Sequence, residues 1–224
     1  DYVDTTAPSA PTSTSVATNS DGTVTVDGTG EPGAVVTVTY PSGDTATALV
    51  GSDGTWTATS PNAENGGDIT ASQEDQNGNT SSDVDAGTLV SIDTVVGNTD
   101  GTVTVTGTAE AGATVTITYP NGETVTTVAG TDGSFSVTST TTQPDDVTTA
   151  DDILADANDG TYDAPQDSAD YVDTTNPLPP TTTNVATNSD GTVTVDGTGE
   201  PGAVVTVTYP SGDTATALVG TDGT

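Results

Sequence analysis

Valine and threonine alternate in two stretches near the start of the chain. Residues 23–28 read TVTVDG, and residues 34–40 place two valines and Tyr40 on one side and mainly threonines on the other. A period of two is typical of a β-strand with one buried face and one wet face, and β-branched residues suit a pleated sheet. The glycines and proline of residues 30–33 favour a turn between the stretches. The pattern therefore predicts two antiparallel strands.

Similar alternating runs, separated by turn residues, continue along the chain. They predict seven strands in the first third, at residues 13–18, 23–28, 34–40, 45–50, 55–59, 69–73 and near 80–82. They predict further strands at residues 92–96, 102–107, 113–119 and 124–129. Seven short strands in about 85 residues are typical of an immunoglobulin-like sandwich. We therefore expect an all-β protein made of tandem immunoglobulin-like β-sandwiches, arranged as beads on a string.

The chain is internally repetitive. The stretch at residues 22–40 returns in similar form from Gly101 and without change from Gly191, and residues 1–55 differ from residues 170–224 at six positions. Such similarity indicates a tandem array.

We predict three modules, at residues 1–82, 83–169 and 170–224, the third with its first four strands only. Half a sandwich is not expected to be stable alone. Either the natural chain continues, or another chain supplies the missing strands.

A large aromatic residue recurs at one position of the predicted fifth strand. Trp56 lies in DGTWTAT and Phe135 lies in the corresponding DGSFSVT. We interpret this residue as part of the core of each module rather than as a surface that stacks on a ligand.

Composition narrows the possible functions. The 224 residues carry a formal charge of -33 and contain no Lys, Arg, His or Cys. Binding nucleic acid or an anionic membrane surface requires basic side chains, so neither is an expected partner. No apolar run approaches the roughly 18 residues that a membrane helix needs. Without His, Cys or Lys, the usual bases and nucleophiles of catalysis are missing, and we expect no enzyme activity.

Calcium is the cofactor that the acidic residues favour, because Ca²⁺ takes six to eight hard oxygen ligands. In a seven-strand sandwich, the loops after the second, fourth and sixth strands return to the N-terminal end, where the linker enters. The candidate ligands grouped in this way are Glu31, Asp53 and Asp75 with Asp1 and Asp4; Glu110, Asp132 and Asp156 with Asp83 and Asp85; and Glu200 and Asp222 with Asp170 and Asp173. The opposite loops present Asp21, Asp44 and Asp68 to the following joint.

Two alternatives to calcium stay open. Asp-Gly pairs such as Asp21-Gly22 and Asp132-Gly133 also form ordinary turns. The segment 145–173 contains ten aspartates. It is either an expansion between the sixth and seventh strands with extra calcium ligands or a solvated acidic loop. The candidate ligands there are Asp151, Asp152, Asp156, Asp159 and Asp163.

The sequence resembles the bacterial Ig-like repeats of giant surface adhesins of the biofilm-associated and RTX type. The resemblance rests on GTGEPGAVVTVTYPSGDTATALVGSDGTWT, on DQNGNTSS near the end of the first module and on the linker VDTTAP, and it covers almost the whole chain. The second module departs from it after Ser139. The resemblance implies an extracellular spacer, stiffened by calcium, between a cell-surface anchor and a distal binding tip.

We therefore expect the stalk of an extracellular adhesin that supports cell adhesion and biofilm formation. Its partners are then the neighbouring modules of the same chain and, in a fibre, other copies. Two alternatives are a filament subunit completed by strands of a neighbouring chain, and a carbohydrate-binding adhesin module.

Overall fold

A computed structural model describes residues 4–144, 153–172, 176–220 and 222–224. All regular elements in these ranges are β-strands, as the alternating pattern predicted. The described residues contain no helix that is long and apolar enough to cross a membrane.

The first sandwich is made of two antiparallel sheets. Its strands are β1 (Thr12–Thr18), β2 (Val24–Thr29), β3 (Val35–Thr39), β4 (Thr45–Leu49), β5 (Thr55–Thr59), β6 (Gly67–Glu74) and the first part of β7 (Val84–Gly97). One sheet has the order β1-β2-β5, and β4, β3, β6 and β7 are neighbours in the other. Seven strands in two facing antiparallel sheets are the architecture of an immunoglobulin-like sandwich, here with β4 in the sheet of β3, β6 and β7.

The second sandwich begins on the same strand that ends the first. The second part of β7 pairs with β8 (Val103–Ala109), which pairs with β11 (Ser134–Thr138). The facing sheet has the order β10-β9-β12-β13, with strands Thr124–Val128, Thr114–Thr118, Ile153–Asn158 and Asp167–Ala169.

The third module contributes two hairpins. One pairs β14 (Thr181–Thr187) with β15 (Val193–Thr198), and the other pairs β16 (Val204–Thr208) with β17 (Thr214–Leu218). These hairpins have the order of the first four strands of the first sandwich. Their apolar residues are more exposed than the equivalent residues of the first sandwich, because no opposite strand covers them among the described residues.

Each complete sandwich has its own apolar core. Val24, Val36 and Ile69 are buried in the first core, and Val103, Val115 and Ile153 are buried in the second. They come from alternate positions of strands in both sheets, since successive residues of a strand point to opposite faces.

The recurring aromatic residue belongs to these cores. Trp56 is 3% exposed in the first core, and Phe135 is 5% exposed in the second. The prediction that this position fills the core is confirmed.

Two strand predictions need correction. Residues 80–82 were expected to form the last strand of the first module, but that strand starts at Val84, and Thr80 only forms an isolated bridge to Glu74. The acidic segment after Pro144 was expected to be either an expansion between the sixth and seventh strands or a solvated acidic loop. Instead it contains the sixth strand itself, β12, whose Ile153, Ala155 and Ala157 alternate into the core.

Candidate cation site at the joint between the first two sandwiches

A cavity of about 430 Å³ lies between the first two sandwiches. The first sandwich lines it with residues of the β3–β4 turn and the start of β6, including Pro41 and Asp68. The second sandwich lines it with residues that follow β8 and precede β11, including Glu110 and Asp132. The loops of two different modules therefore meet at this cavity.

Four carboxylates interact electrostatically at this joint, and we call them the joint acids: Asp68, Asp85, Glu110 and Asp159. Burial, followed by the negative charges of Asp68, Asp159 and Asp85, raises the pKa of Glu110 to about 7. The negative charge of an ionised Glu110 is therefore unfavourable at this position.

The other joint acids experience the same repulsion. Burial, followed by the charges of Asp85 and Asp159, raises the pKa of Asp68. Burial also raises the pKa of Asp85, although a hydrogen bond from Gly87 partly opposes it. The chain has no Lys, Arg or His to neutralise any of these groups.

Local turns fix two of these side chains. Asp159 begins the turn after β12, and its Oδ1 accepts hydrogen bonds from the backbone N–H groups of Thr161 at 2.5 Å and Tyr162 at 2.7 Å. Asp85 Oδ1 accepts a hydrogen bond from Gly87 N at 3.0 Å, next to the irregularity in the pairing of β6 with β7.

These turns leave polar atoms without partners. Oδ2 of Asp159 and Oε2 of Glu110 are both buried and have no hydrogen-bond donor. Buried acceptors without a partner are costly, and a cation is one partner that satisfies two carboxylates at once. In the described parts of the chain, however, no three acidic side chains already converge on one metal position. Cation binding here would require side-chain rearrangement around the Glu110–Asp159 pair.

Tyr162 is a neighbour of the joint acids that the sequence reasoning did not identify. Its hydroxyl donates to the backbone oxygen of Asp85 at 3.5 Å, and burial together with Asp85 and Asp159 raises its pKa. No local pattern marks this tyrosine, because its neighbour Asp85 lies 77 residues away in the sequence.

Two of the predicted ligands are not among the joint acids. Asp156 is inside β12 rather than in a loop, and its two oxygens accept from Gln166 Nε2 at 3.0 and 3.1 Å. Asp83 is exposed in the residue before β7.

Asp132 borders the cavity, but its carboxylate serves its own turn. Oδ1 accepts from Ser134 N at 3.1 Å and from the Ser134 hydroxyl at 2.7 Å, and these bonds lower the pKa of Asp132. Asp53 and Asp21 have the same arrangement with Thr55 and Thr23. The turn interpretation of these Asp-Gly pairs accounts for their geometry.

A similar group of acids lies at the N-terminal end of the first sandwich. Asp4, Glu31 and Asp75 line one pocket of about 200 Å³. Asn79 links two of them, because its side-chain amide donates to the Asp4 backbone oxygen at 3.2 Å and to Asp75 Oδ2 at 2.7 Å. The predicted ligand Asp1 lies outside the described residues.

Glu200 of the third module corresponds to Glu31 of the first module and is buried. Glu200 is 5% exposed, and its Oε2 accepts a hydrogen bond from Leu178 N at 3.0 Å, whereas Oε1 is buried without a partner. Asp170 lies exposed after β13. Asp151, Asp152 and Asp173 lie outside the described residues, and Asp163 accepts from Asn158 Nδ2 at 2.7 Å.

Tandem antiparallel sandwiches of this strand order define an Ig-like repeat protein. The chain belongs to the bacterial Ig domain family, whose sequence profile matches residues 7–89 and again residues 91–165. A comparison with curated proteins gives no match.

Among solved structures, two similar chains are adhesins and a third is a domain of a biofilm-associated protein. A Ca²⁺-stabilised adhesin with which an Antarctic bacterium binds ice is 26% identical, with a TM-score of 0.30, covering 98% of this chain and 65% of its own length. A 1.5-MDa bacterial ice-binding adhesin is 24% identical, with a TM-score of 0.29, and the match covers 91% of this chain and 78% of that chain. The BSP domain of a biofilm-associated protein is 23% identical, with a TM-score of 0.27, and the match covers 76% of this chain and 30% of that chain. The chain thus spans about two thirds of the first of these structures.

Proposed function

We propose that this chain is part of the stalk of an extracellular bacterial adhesin and that divalent cations, Ca²⁺ above all, bind at the joints between its modules. The observation that carries the proposal is the Glu110–Asp159 pair of the second sandwich, whose buried carboxylate oxygens have no partner and which interacts with the charge of Asp68 from the first sandwich. Membership of the bacterial Ig domain family supports a structural, non-catalytic role.

The charge of the chain supports a cation as the missing partner. With a formal charge of -33 and no basic side chain, the joint acids gain neutralisation only from protons or from dissolved cations. Calcium accepts six to eight oxygen ligands in flexible geometry, so carboxylates, backbone carbonyls and waters of an adaptable joint suit it better than they suit the octahedral Mg²⁺.

Cation binding links the joint to the environment. A cation that binds only the closed joint stabilises it in proportion to the logarithm of its concentration over its dissociation constant. At low calcium the joint acids repel one another. The contact between the loops of the two sandwiches at the cavity is then weakened. At the millimolar calcium typical of extracellular fluids, we expect the contact to close and the angle between the sandwiches to be held.

Calcium-dependent melting of the full chain tests this proposal. We expect a higher Tm in 2 mM calcium than in chelator, and a smaller increase when Glu110→Gln and Asp159→Asn are combined. Asp156→Asn is the matched control, because Asp156 bonds to Gln166 away from the joint, and it should keep the full increase. Equal Tm values of the wild type in calcium and chelator, or a full increase in the double variant, would show the proposal to be wrong.

Terbium luminescence locates the cation independently of stability. Tb³⁺ replaces Ca²⁺ at oxygen sites and is excited through a nearby tyrosine, and Tyr162 lies next to Asp85. Tyr162→Phe should lower the emission, whereas Tyr209→Phe in the third module should leave the emission excited through Tyr162 unchanged.

The filament and carbohydrate-binding hypotheses stay predictions.

A further inference from the structure

The joint between the first two sandwiches is crossed by one uninterrupted strand. β7 pairs with β6 as far as Leu89, which lies opposite Gly67, and pairs with β8 from Val90, which lies opposite Ala109. No residue of β7 separates the two ladders. As a result, strands of both sandwiches belong to one six-stranded sheet, of order β11-β8-β7-β6-β3-β4.

The two ladders also meet end to end. Gly66, the residue before β6, lies so close to the end of β8 that a Cβ on it would be 1.9 Å from the carbonyl oxygen of Thr108. Its backbone N–H donates to the Ser91 hydroxyl of β7 at 3.1 Å. Only glycine allows this approach, and the backbones of the two sandwiches are therefore in direct contact.

Burial along β7 shows that the joint is closed on both faces of the strand. A strand at the edge of a single core alternates between buried and exposed residues. In β7 the five consecutive residues 86–90 are all buried. Leu89 packs in the core of the first sandwich and Val90, its chain neighbour, packs in the core of the second.

We infer that the first two sandwiches form one cooperative folding unit, in which loss of the second core also destabilises the first. Unfolding of the second sandwich would free the end of β7, remove the cover of residues 89 and 90, and leave Gly66 and the end of β6 without their contacts. In repeat proteins such nearest-neighbour terms make adjacent units unfold together. This coupling operates through backbone pairing and packing, and it needs no cation.

The following joint is built differently. β13 ends at Ala169 and β14 begins at Thr181, and among the described residues no strand of the third module pairs with the second sandwich. The shared strand β7 therefore joins the first two of the three modules.

A built-in probe allows the coupling to be measured. Trp56 is the only tryptophan of the chain and lies in the first core. Ile117, fully buried in the second core, is the site of the perturbation, as Ile117→Ala and as the milder Ile117→Val in case the first fails to fold. Denaturation of the full chain in chelator is followed by Trp56 fluorescence and by far-UV circular dichroism.

The coupled unit predicts that the Trp56 midpoint moves to lower denaturant together with the circular dichroism midpoint. A Trp56 midpoint that stays at the wild-type value while the circular dichroism curve shifts or splits would overturn the inference. The reciprocal test combines Trp56→Phe with Phe135→Trp, which moves the probe to the second core, and perturbs the first with Val38→Ala. Here too, a common shift supports the inference and an unmoved probe contradicts it.

Gly66 provides a test that is specific to the joint. Gly66→Ala inserts a methyl group against the Thr108 carbonyl, and it should reduce the shared shift that Ile117→Val produces at Trp56. Asn65→Ala, at the exposed neighbouring residue, is the matched control and should leave the shared shift intact. An unchanged shared shift in Gly66→Ala would exclude this contact as a route of coupling.

Discussion

Gly28 lies directly opposite Trp56 in the ladder between β2 and β5, and the indole covers it so closely that a Cβ on Gly28 would lie 2.3 Å from Cζ2 of the ring. Gly107 and Phe135 repeat the relationship in the second sandwich, where the corresponding distance to Cζ is 2.5 Å. The glycine therefore leaves room for the aromatic ring in the core. A larger residue at the glycine position is expected to require a smaller residue at the aromatic position.

Because the second sandwich uses Phe at this position, Trp56→Phe should be tolerated, with a loss of at most about 1.5 kcal/mol in the free energy of unfolding. Trp56→Ala leaves a cavity and should cost about 3–5 kcal/mol. Denaturation followed by circular dichroism measures both, since both variants lack the tryptophan. Similar losses for the two variants would show that the ring is not packed as described.

The joint acids make stability depend on pH when divalent cations are absent. The folded-state pKa of Glu110, about 7, is above its ordinary value of 4.5, so the folded chain binds more protons than the unfolded chain between these values. Stability contributed by the protonated group is complete below about pH 4.5 and is lost as the pH rises through about 7. We expect the free energy of unfolding in chelator to fall over this interval.

Glu110→Gln should flatten that decrease, because an amide does not ionise, and added calcium should do the same in the wild type. Carboxylates in the Asp-Gly turns act in the opposite sense. Hydrogen bonds from Thr55 lower the pKa of Asp53, so its contribution is present above pH 3.8 and lost at lower pH. A decrease between pH 4.5 and 7 that persists unchanged in Glu110→Gln would mean that other groups cause it.

Gln73 is 2% exposed and connects two segments at the N-terminal end of the first sandwich. Its Oε1 accepts from Glu31 N at 3.0 Å, and its Nε2 donates to the backbone oxygen of Ser9. Gln73→Leu leaves both backbone groups without a partner and should lower the free energy of unfolding by about 2–4 kcal/mol. Denaturation followed by Trp56 fluorescence measures this loss. As a control, Gln76→Leu, at an exposed position, should change the free energy of unfolding by less than about 0.5 kcal/mol.

Glu123 holds the loop that follows β11. Burial opposes its ionisation, but hydrogen bonds from the hydroxyls and backbone N–H groups of Thr140 and Thr141 outweigh this effect and lower the pKa of Glu123 to about 2. Its stabilising contribution is therefore present above pH 4.5 and is lost as the pH falls through about 2.

Because this carboxylate is largely in contact with solvent, Glu123→Gln should cost only about 1 kcal/mol at pH 7. The difference from the wild type should shrink as the pH falls from 4 toward 2. Circular dichroism in urea measures both quantities. A cost that stays constant with pH would indicate a change in packing rather than loss of the charge.

The position of strands within each sandwich could be predicted from the sequence, because alternation and turn residues are local signals. β5, for example, has the predicted limits, Thr55–Thr59. The β12 strand was missed because its alternating alanines lie in an aspartate-rich segment whose charge dominates the pattern. The first part of β7, the strand shared by both sandwiches, was missed because Asp83 and Asp85 are acidic and were interpreted as linker residues.

The sequence by itself determined that this chain forms repeated antiparallel sandwiches with valine, tyrosine and one large aromatic residue inside, since a period of two selects the buried face of every strand. Only the tertiary structure decided that β7 serves two cores and that Glu110 meets Asp159 rather than Asp156. The reason is that such contacts depend on where strands that are distant in the sequence end in space. At the joint, Gly66 packs against Thr108, and no local pattern records this contact.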